Sequence, residues 1–335
     1  MNPLISIILP IYNGEKYINQ LFKSMYNQTI NFSNLELIFI NNVSTDNSHN
    51  ILKNLSDKYD NVKLINLEKH YPTPGHSRNM GIKEASAEYV MFCDGDDSYT
   101  PDFCKVMYDA ITKDDVDLIS SRYTVHSLNK KNYLNNSFLN NYPPVIKLNT
   151  ITEFPEIIQT QANLTIWNKI YKKQYLIDNN ITFVEDHWAE DYLFSLESYI
   201  KANGIIILTK YSGYNYTILD NSQSHSKLKK IDYYNDCLVP LTKAEKLLSE
   251  NNYEVLPYVS EFLISWIKIF LESDLDKKDL SEIYDSFQPW FKRYSIRTRL
   301  VNLSILFNIV INVVVKVFSI SKQLMLLANK ILKRG

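Results

Sequence analysis

The first 120 residues alternate short apolar runs with amphipathic stretches, and this alternation constrains the fold more than any other feature of the sequence. Four runs rich in Ile, Leu, Val and Phe have the length of buried strands, and three stretches between them have helical spacing. The strand candidates are Leu4–Leu9, Leu35–Ile40, Val62–Leu67 and Tyr89–Phe92, and the helix candidates are Glu15–Tyr26, Thr45–Leu55 and His76–Ala85. This pattern predicts an α/β fold in which a mostly parallel sheet carries helices on both faces.

Three aspartates, Asp94, Asp96 and Asp97, directly follow the fourth strand candidate. In open parallel sheets, ligands bind outside the carboxyl ends of the strands, so this position is a candidate site. Like charges this close raise one another's pKa and destabilise the fold unless a cation neutralises them. Carboxylate oxygens suit Mg²⁺ or Mn²⁺. The alternative is an acidic loop in which Asp97 or Ser98 caps a helix that begins at Pro101.

The chain changes character after residue 120. Residues 120–165 are rich in Asn and Tyr, and we expect loops and edge strands there. Helical spacing returns at 166–200 and again at 228–285. These changes predict three parts, which are an α/β domain over residues 1–220, a helical region over 221–299 and a tail over 300–335.

Composition excludes several classes of protein. Hydrophobic residues make up 45% of the 335 residues and charged residues 22%, which excludes a disordered chain. The three cysteines are widely spaced and odd in number, which excludes a disulfide scaffold and favours a reduced, cytosolic protein. The N-terminus lacks a basic segment and its apolar run stops at Pro10, so we expect no signal peptide.

Basic charge is concentrated in the tail. Residues 286–335 hold nine Lys or Arg and no Asp or Glu, whereas residues 1–285 hold 27 basic and 37 acidic residues. From Leu300 onward polar residues recur at helical spacing and leave a broad aliphatic face, which predicts an amphipathic helix. Its apolar run is short for a spanning helix, so we expect it to lie on an anionic membrane surface. The alternative is packing within the protein or against a partner subunit, and the composition disfavours nucleic acid.

Several short motifs occur together in the first 220 residues. Each is weak alone, but their order and separations are similar to those of one family. The motifs are Ser6-Ile-Ile-Leu-Pro10-Ile-Tyr12-Asn13, Gln28-Thr29, Asn41-Asn42-Val-Ser44-Thr45-Asp46, Gly75-His-Ser-Arg78-Asn79-Met-Gly81, Asp94-Gly-Asp96-Asp97, Trp167-Asn-Lys169 and Glu190-Asp191. Over roughly residues 4–220 the chain resembles family 2 glycosyltransferases of the GT-A fold, in particular short bacterial enzymes that transfer galactose or N-acetylhexosamine to surface glycans.

The resemblance implies a nucleotide-sugar donor, usually a UDP-sugar. By this likeness Pro10 and Tyr12 frame the uracil and the ribose, and Arg78 meets phosphate charge or the edge of the base. Asn42 stands where the family usually carries an acidic residue that accepts a hydrogen bond from uracil. An Asn oxygen can still accept that bond, although without charge assistance. The alternatives are a turn residue for Asn42 and a surface cation for Arg78.

The same resemblance implies a divalent metal. Asp94 would contact the ribose or the metal, and Asp96 would bind Mn²⁺ or Mg²⁺ that bridges the diphosphate and neutralises the leaving group. His225 follows an aromatic segment in a polar loop, and in some related enzymes this region completes the metal shell. The alternative for His225 is a solvated loop residue.

Glu190 and Asp191 precede an apolar helix face. By the resemblance Asp191 is the general base that takes the proton from the acceptor hydroxyl, and a base opposite the leaving diphosphate produces inversion. The alternative is a well-capped helix, since carboxylates in a first turn are favoured by the helix dipole. Trp167 and Lys169 are candidates for shaping the acceptor site, and Trp167 is equally a core candidate.

Together these features predict an inverting, metal-dependent glycosyltransferase at the inner face of the cell membrane. The expected acceptor is a glycan or glycolipid of lipooligosaccharide, capsule or teichoic acid type, and an oligomer is compatible with the sequence. The alternative is a nucleotidyltransferase or a non-catalytic sugar-nucleotide-binding protein on a similar sheet. The first strand lacks a Gly-rich, Lys-containing phosphate loop, which disfavours that alternative.

Overall fold

The structure is a computed structural model in which the chain divides into two compact units. The first unit comprises Met1–Ile157, Ala162–Asp186 and Glu190–Leu219, and the second comprises Ile158–Gln161, His187–Ala189 and Asp220–Gly335. The described residues are 2–127, 130–134, 137–158, 164–218, 231–255, 257–259, 262–263 and 275–293. The three-part division expected from the sequence stays a prediction, since its tail lies outside the described residues.

One ten-stranded sheet forms the first unit. Its strands are β1 (Ile5–Ile11), β2 (Leu35–Asn41), β3 (Val62–Asn66), β4 (Tyr89–Phe92), β5 (Ser98–Tyr99), β6 (Leu118–Ser127), β7 (Lys130–Leu134), β8 (Val145–Leu148), β9 (Lys169–Lys172) and β10 (Ile205–Ile218). Hydrogen bonding orders them β3-β2-β1-β4-β9-β6-β10-β5, with β7 beside β6 and β8 beside β10. All four strands expected from the apolar runs are present, as β1 to β4.

The first four strands are parallel. β1 pairs with β2 and with β4, and β2 pairs with β3. Every residue of β2 and β4 is buried, which explains why these strands are near-continuous apolar runs in the sequence. Their carboxyl ends lie along one edge of the sheet, where the candidate site residues follow them.

The remainder of the sheet is mixed rather than parallel. β9 runs antiparallel to β4 and β6, and β10 runs parallel to β6. β6 lies between β9 and β10, although the sequence pattern indicated loops and edge strands in this stretch. The polar residues Ser120, Ser121 and Arg122 are buried in β6, so the strand has no apolar run that would identify it.

Helices of the first unit cover the sheet and return the chain to its amino-terminal edge. They are α1 (Ile18–Tyr26), α2 (Ser48–Lys58), α3 (Gly75–Glu84), α4 (Phe103–Asp114), α5 (Lys173–Asp178) and α6 (Glu190–Lys201). A Cβ atom at Gly81 would lie 2.3 Å from the Ile8 side chain, so glycine permits the close packing of α3 on β1. Because α3 runs back from the end of β3, its first turn lies at the carboxyl edge.

The second unit contributes three described helices of more than one turn, α7 (Ile231–Asp236), α8 (Leu238–Glu250) and α9 (Lys277–Arg293). Arg293 on α9 binds Glu245 on α8 through Nη1 and Oε1 atoms 2.9 Å apart. Among the described helices, none has both the length and the apolar character needed to cross a membrane. His225 and the predicted amphipathic tail, residues 300–335, lie outside the described residues.

Candidate active site

Aromatic and amide side chains join the loops that follow β1, β2 and β3. Tyr12 is 42% exposed, and its ring centroid lies 4.4 Å from that of His70. The Asn42 side-chain amide donates to the Tyr71 carbonyl at 2.7 Å, and its oxygen accepts from the Tyr71 N–H at 2.9 Å. Tyr71 stacks on His76 with ring centroids 3.8 Å apart. Asn42 therefore holds the loop after β3 against the end of β2.

Pro10 and Asn42 occupy neighbouring positions at this edge. Pro10 lies opposite Ile40 in the parallel pair of β1 and β2, and the Asn42 N–H donates to the Ile11 carbonyl at 2.8 Å. After its bonds to Tyr71, the Asn42 amide retains one N–H and one oxygen lone pair for a ligand. These bonds show that Asn42 holds the loop in place. Its role in recognising the nucleotide base stays a prediction.

Arg78 is the centre of an ionic network. Its side chain is 5% exposed, and its two terminal nitrogens donate to Glu190 Oε1 at 2.7 Å and to Asp94 Oδ1 at 2.9 Å. The guanidinium carbon lies 5.4 Å from the Phe183 ring centroid. Burial alone would lower the pKa of Arg78, but Asp94, Glu190 and Asp191 raise it, so the group is charged. Arg78 thus joins the loop after β4 to the first turn of α6, and its contact with a nucleotide stays a prediction.

The three aspartates after β4 have different surroundings. Asp97 is 2% exposed, and its oxygens accept from the Tyr214 hydroxyl at 2.5 Å and from the Thr217 N–H at 2.7 Å. It does not cap the following helix, whose first turn has no side-chain cap. Asp94 and Asp96 are half-buried, and burial together with the charge of Asp94 raises the pKa of Asp96 to about 6.

The acidic pair opens α6, as expected from its sequence context. Glu190 is buried against Arg78, whereas Asp191 is half-buried and its Oδ1 accepts from the Tyr192 N–H at 2.9 Å. Burial raises the pKa of both carboxyl groups, and Arg78 opposes that rise. A carboxyl group with a raised pKa is better matched to proton transfer near neutral pH than an unperturbed one.

Trp167 and Lys169 lie in the core. Trp167 is 5% exposed and stacks on Tyr214 with ring centroids 4.1 Å apart. Lys169 is fully buried, and its ammonium donates to the Thr165 carbonyl and to Asn168 Oδ1. Burial lowers the pKa of Lys169 well below its usual value. Trp167 is therefore a core residue, which was one of the two interpretations of its sequence context. Nothing in the sequence indicated that Lys169 would be buried.

Sequence reasoning named Glu190 as part of an acidic pair but did not predict its bond to Arg78, and it assigned no role to Tyr214. The bond from Arg78 to Glu190 spans 112 positions, and the bond from Tyr214 to Asp97 spans 117. No local pattern encodes contacts this distant. The signals present in the sequence were the adjacent acidic pair and the alternation of Tyr214 with Tyr216, which is typical of one face of a strand.

Asp94 and Asp96 suit a divalent cation by their chemistry. Mg²⁺ takes oxygen ligands, and in phosphate-binding sites it uses one or two carboxylates together with water and substrate phosphates. Burial, and after it the charge of Asp94, raises the pKa of Asp96, and a bound cation would offset both effects. Across the described residues, no group of three or more His, Cys, Asp or Glu side chains is arranged to hold a metal by itself. A cation at this place would take its remaining ligands from water or from a bound phosphate group.

Comparison with known proteins identifies the family. The model of glycosyl transferase family 2 matches residues 6–178. The poly(ribitol-phosphate) beta-N-acetylglucosaminyltransferase TarS of Staphylococcus aureus is 32% identical over 205 residues, which is 61% of this chain and 34% of that protein. The cholesterol galactosyltransferase of Borreliella burgdorferi is 26% identical over 317 residues, which is 85% of this chain and 86% of that protein.

A solved structure supports the fold independently of sequence. The crystal structure of Staphylococcus aureus TarS 1-349 in complex with UDP superposes with a TM-score of 0.70 at 22% identity, and the match covers 99% of this chain and 92% of that one. The match to the family model extends over more than half of the chain. The GT-A fold expected from the sequence is confirmed, and the chain belongs to glycosyl transferase family 2.

Proposed function

We propose that this protein is an inverting, metal-dependent glycosyltransferase that moves a hexose or an N-acetylhexosamine from a UDP-sugar to a bacterial surface glycan. The observation that carries the proposal is the bridge through Arg78, which holds Asp94 at one end and Glu190 at the other. The bridge ties the loop after β4, where the donor would bind, to the helix turn that carries Asp191. A displacement reaction is fast only when the donor and the general base are held in a fixed relative geometry.

The donor part of the proposal is supported by the exposed ring of Tyr12 at the end of β1. An aromatic ring at a strand end offers a flat apolar face on which a base can stack. The free N–H and lone pair of Asn42 lie on the adjacent strand end, where they can bond the edge of the base. Structures of TarS contain UDP and UDP-GlcNAc, and we extend that donor class to this chain on the strength of its own strand-end residues.

In the proposed reaction the acceptor hydroxyl oxygen attacks the anomeric carbon as Asp191 takes the hydroxyl proton. The bond between the anomeric carbon and the phosphate oxygen breaks, and UDP leaves from the opposite face, so the configuration inverts. Glu190 does not contact the reacting atoms in this scheme. It anchors Arg78, and Arg78 in turn orients Asp94.

A divalent cation would be held by Asp96, with Asp94 beside it and His225 as a further proposed ligand. When bound, such a cation would supply electrostatic stabilisation of the negative charge on the leaving diphosphate. The chain itself contributes the carboxylates that bind the cation and the Arg78 bridge that fixes their loop.

The acceptor and the location are proposed from the relatives and from the tail. TarS is named for transfer to poly(ribitol-phosphate), and the Borreliella relative for transfer to cholesterol. The first acceptor is a phosphate polymer and the second is a lipid, which favours an acceptor of the teichoic acid or glycolipid type. The nine basic residues of positions 286–335 would hold the enzyme at an anionic membrane surface, on the cytoplasmic side where nucleotide sugars are made.

The proposal is tested by incubating the full chain with Mn²⁺ and, in separate reactions, UDP-Glc, UDP-Gal, UDP-GlcNAc and UDP-GalNAc. We expect one donor to release UDP, faster when a poly(ribitol-phosphate) or glycolipid acceptor is present, and a product with inverted anomeric configuration by NMR. Release of pyrophosphate instead of UDP would contradict the proposal and favour nucleotidyl transfer. Undiminished UDP release in EDTA would remove the metal from the mechanism.

A further inference from the structure

Asp97 is bonded on both of its oxygens by groups of β10. The Tyr214 hydroxyl donates to Oδ2 at 2.5 Å, and the Thr217 N–H donates to Oδ1 at 2.7 Å. With 2% exposure, Asp97 is the most enclosed of the three aspartates after β4, since Asp94 and Asp96 are half-buried. Both oxygens of Asp97 accept hydrogen bonds from the sheet, so its role differs from the roles of Asp94 and Asp96.

Tyr214 is itself held on several sides. It is fully buried in β10, where it lies opposite Tyr99 of β5 and Tyr123 of β6. Its ring stacks on Trp167 with an angle of 17° between the ring planes. The position of its hydroxyl is therefore fixed by the core.

The same hydroxyl reaches both ends of the aspartate loop. It donates to the Asp97 carboxylate and accepts from the Asp94 N–H at 3.3 Å. One fixed oxygen thus sets the distance between the first and the last aspartate of the loop. Asp96, which lies between them, is constrained at both ends.

We propose that Asp97 and Tyr214 are positioning residues, which hold Asp94 and Asp96 in the arrangement that receives the metal and the diphosphate of the donor. This inference rests on the proposed function and deepens it, because it divides the three aspartates into two that meet the ligand and one that does not. Asp97 acts through its bonds to Tyr214 and Thr217, and it is not a metal ligand. Trp167 serves the same arrangement by fixing the Tyr214 ring.

The substitution Tyr214→Phe tests this division because it removes the hydroxyl and keeps the ring that stacks on Trp167. Tyr175→Phe is the matched control, since Tyr175 is a 5% exposed tyrosine of the same unit whose hydroxyl donates to the Ser198 carbonyl at 2.6 Å. Both variants lose one buried hydroxyl, but only Tyr214→Phe releases the aspartate loop. Equal melting temperatures of the two variants would show that any difference in binding does not arise from stability.

Binding of Mn²⁺ to the full chain in the presence of UDP is measured from the electron paramagnetic resonance signal of free Mn²⁺. For Tyr214→Phe we expect the Mn²⁺ concentration at half saturation to rise about tenfold, the scale of one lost hydrogen bond to a charged group. The kcat at saturating Mn²⁺ should stay within about threefold of wild type, because the carboxylates that meet the ligand remain present. The control Tyr175→Phe should bind Mn²⁺ as wild type does.

The substitution Asp97→Asn separates a positioning role from ligation. Its amide oxygen can still accept from the Tyr214 hydroxyl, so we expect weakened but measurable Mn²⁺ binding, whereas Asp96→Asn should abolish it. Equal loss in both aspartate variants would make Asp97 a ligand and overturn the inference, and so would a Tyr214→Phe titration that matches the control. If wild type itself binds no Mn²⁺ with UDP, the proposed function fails, and this inference falls with it.

Discussion

Two clusters of buried charge, at opposite edges of the sheet, differ in how well they are balanced. Near the amino end of β2, Glu36 is 3% exposed and accepts from the Ser6 hydroxyl, from the Ser86 N–H at 2.8 Å and from the Ser86 hydroxyl at 2.9 Å. The Lys63 ammonium nitrogen lies 2.6 Å from Glu36 Oε1. Burial would raise the pKa of Glu36, but Lys63 and the serine donors lower it below its usual value.

At the carboxyl edge, Arg78 faces the carboxyl groups of Asp94, Glu190 and Asp191. Burial raises the pKa of Glu190 and Asp191, and Arg78 does not fully offset that rise. The charge of Glu36 is therefore compensated within the chain, whereas the charged forms of Glu190 and Asp191 are not fully compensated by Arg78. The first cluster therefore stabilises the fold, and the second is the place where our proposal puts the cation and the donor.

The largest effect is expected from Asp191→Asn, which keeps the shape of the side chain but cannot take a proton. Transfer should fall by about 10²-fold or more, the scale of lost general base catalysis, while UDP affinity stays unchanged. The measurement is single-turnover transfer beside an equilibrium titration with UDP. The control is Asp186→Asn, an exposed aspartate five positions earlier, and a wild-type rate in Asp191→Asn would assign the base to another residue.

Arg78→Ala removes the cation and leaves buried carboxylates unpaired. We expect the free energy of unfolding at pH 7 to fall by about 3 kcal/mol, the usual cost of breaking a buried ion pair. The matched control is Arg293→Ala, because the side chain of Arg293 is 61% exposed in its pair with Glu245 and such pairs contribute less than about 1 kcal/mol. Urea denaturation measures both, and equal losses would show that the Arg78 bridge is no stronger than a surface pair.

Glu36→Gln tests the balanced cluster. Replacing a carboxylate that accepts several hydrogen bonds should cost about 2 kcal/mol at pH 7. The folded-state pKa of Glu36 lies below its usual 4.5, so its contribution is complete above that pH and is lost as pH falls through the folded value. The stability difference between wild type and Glu36→Gln should therefore shrink below about pH 4.5. The exposed Glu250→Gln serves as the control for the measurement, and a constant difference for Glu36→Gln would contradict the pKa assignment.

The smallest effect is expected from Asp96→Ala in metal-free protein. Asp96 and Asp94 repel each other, so removing one carboxylate should leave the melting temperature unchanged or raise it slightly. The free energy of unfolding should rise by less than about 1 kcal/mol. Calorimetry in EDTA measures this shift. A marked loss of stability would mean that Asp96 supports the fold in the way Glu36 does.

The part of the fold that the sequence predicted is the part whose strands are mostly apolar. β1, β2 and β4 are buried along nearly their whole length, and apolar residues predominate in all four strands, so their pattern identified them within two residues. β6 contains buried Ser120, Ser121 and Arg122, whose partners lie on other strands, and its pattern indicated loops. Hydropathy identifies a strand when most of its buried side chains are apolar, and it fails where consecutive buried side chains are polar.

The candidate site shows the same division. Position after a strand predicted the aspartates at the end of β4, and family resemblance added Asp191. The bonds that give these residues distinct roles, from Arg78 to Glu190 and from Tyr214 to Asp97, join segments more than 100 positions apart. Such bonds depend on the assembled sheet, so the sequence could name the residues and could not assign partners to them.

We propose that a cation, which binds together with the donor, neutralises the carboxylates at the carboxyl edge of the sheet. The most direct test is the thermal stability of the full chain with UDP, in Mn²⁺ and in EDTA, for wild type and Asp96→Ala. At 100 times its Kd in Mn²⁺, UDP should stabilise wild type by about 2.7 kcal/mol, and it should have little effect in EDTA or on Asp96→Ala. Equal stabilisation by UDP in EDTA, or in Asp96→Ala, would contradict the claim.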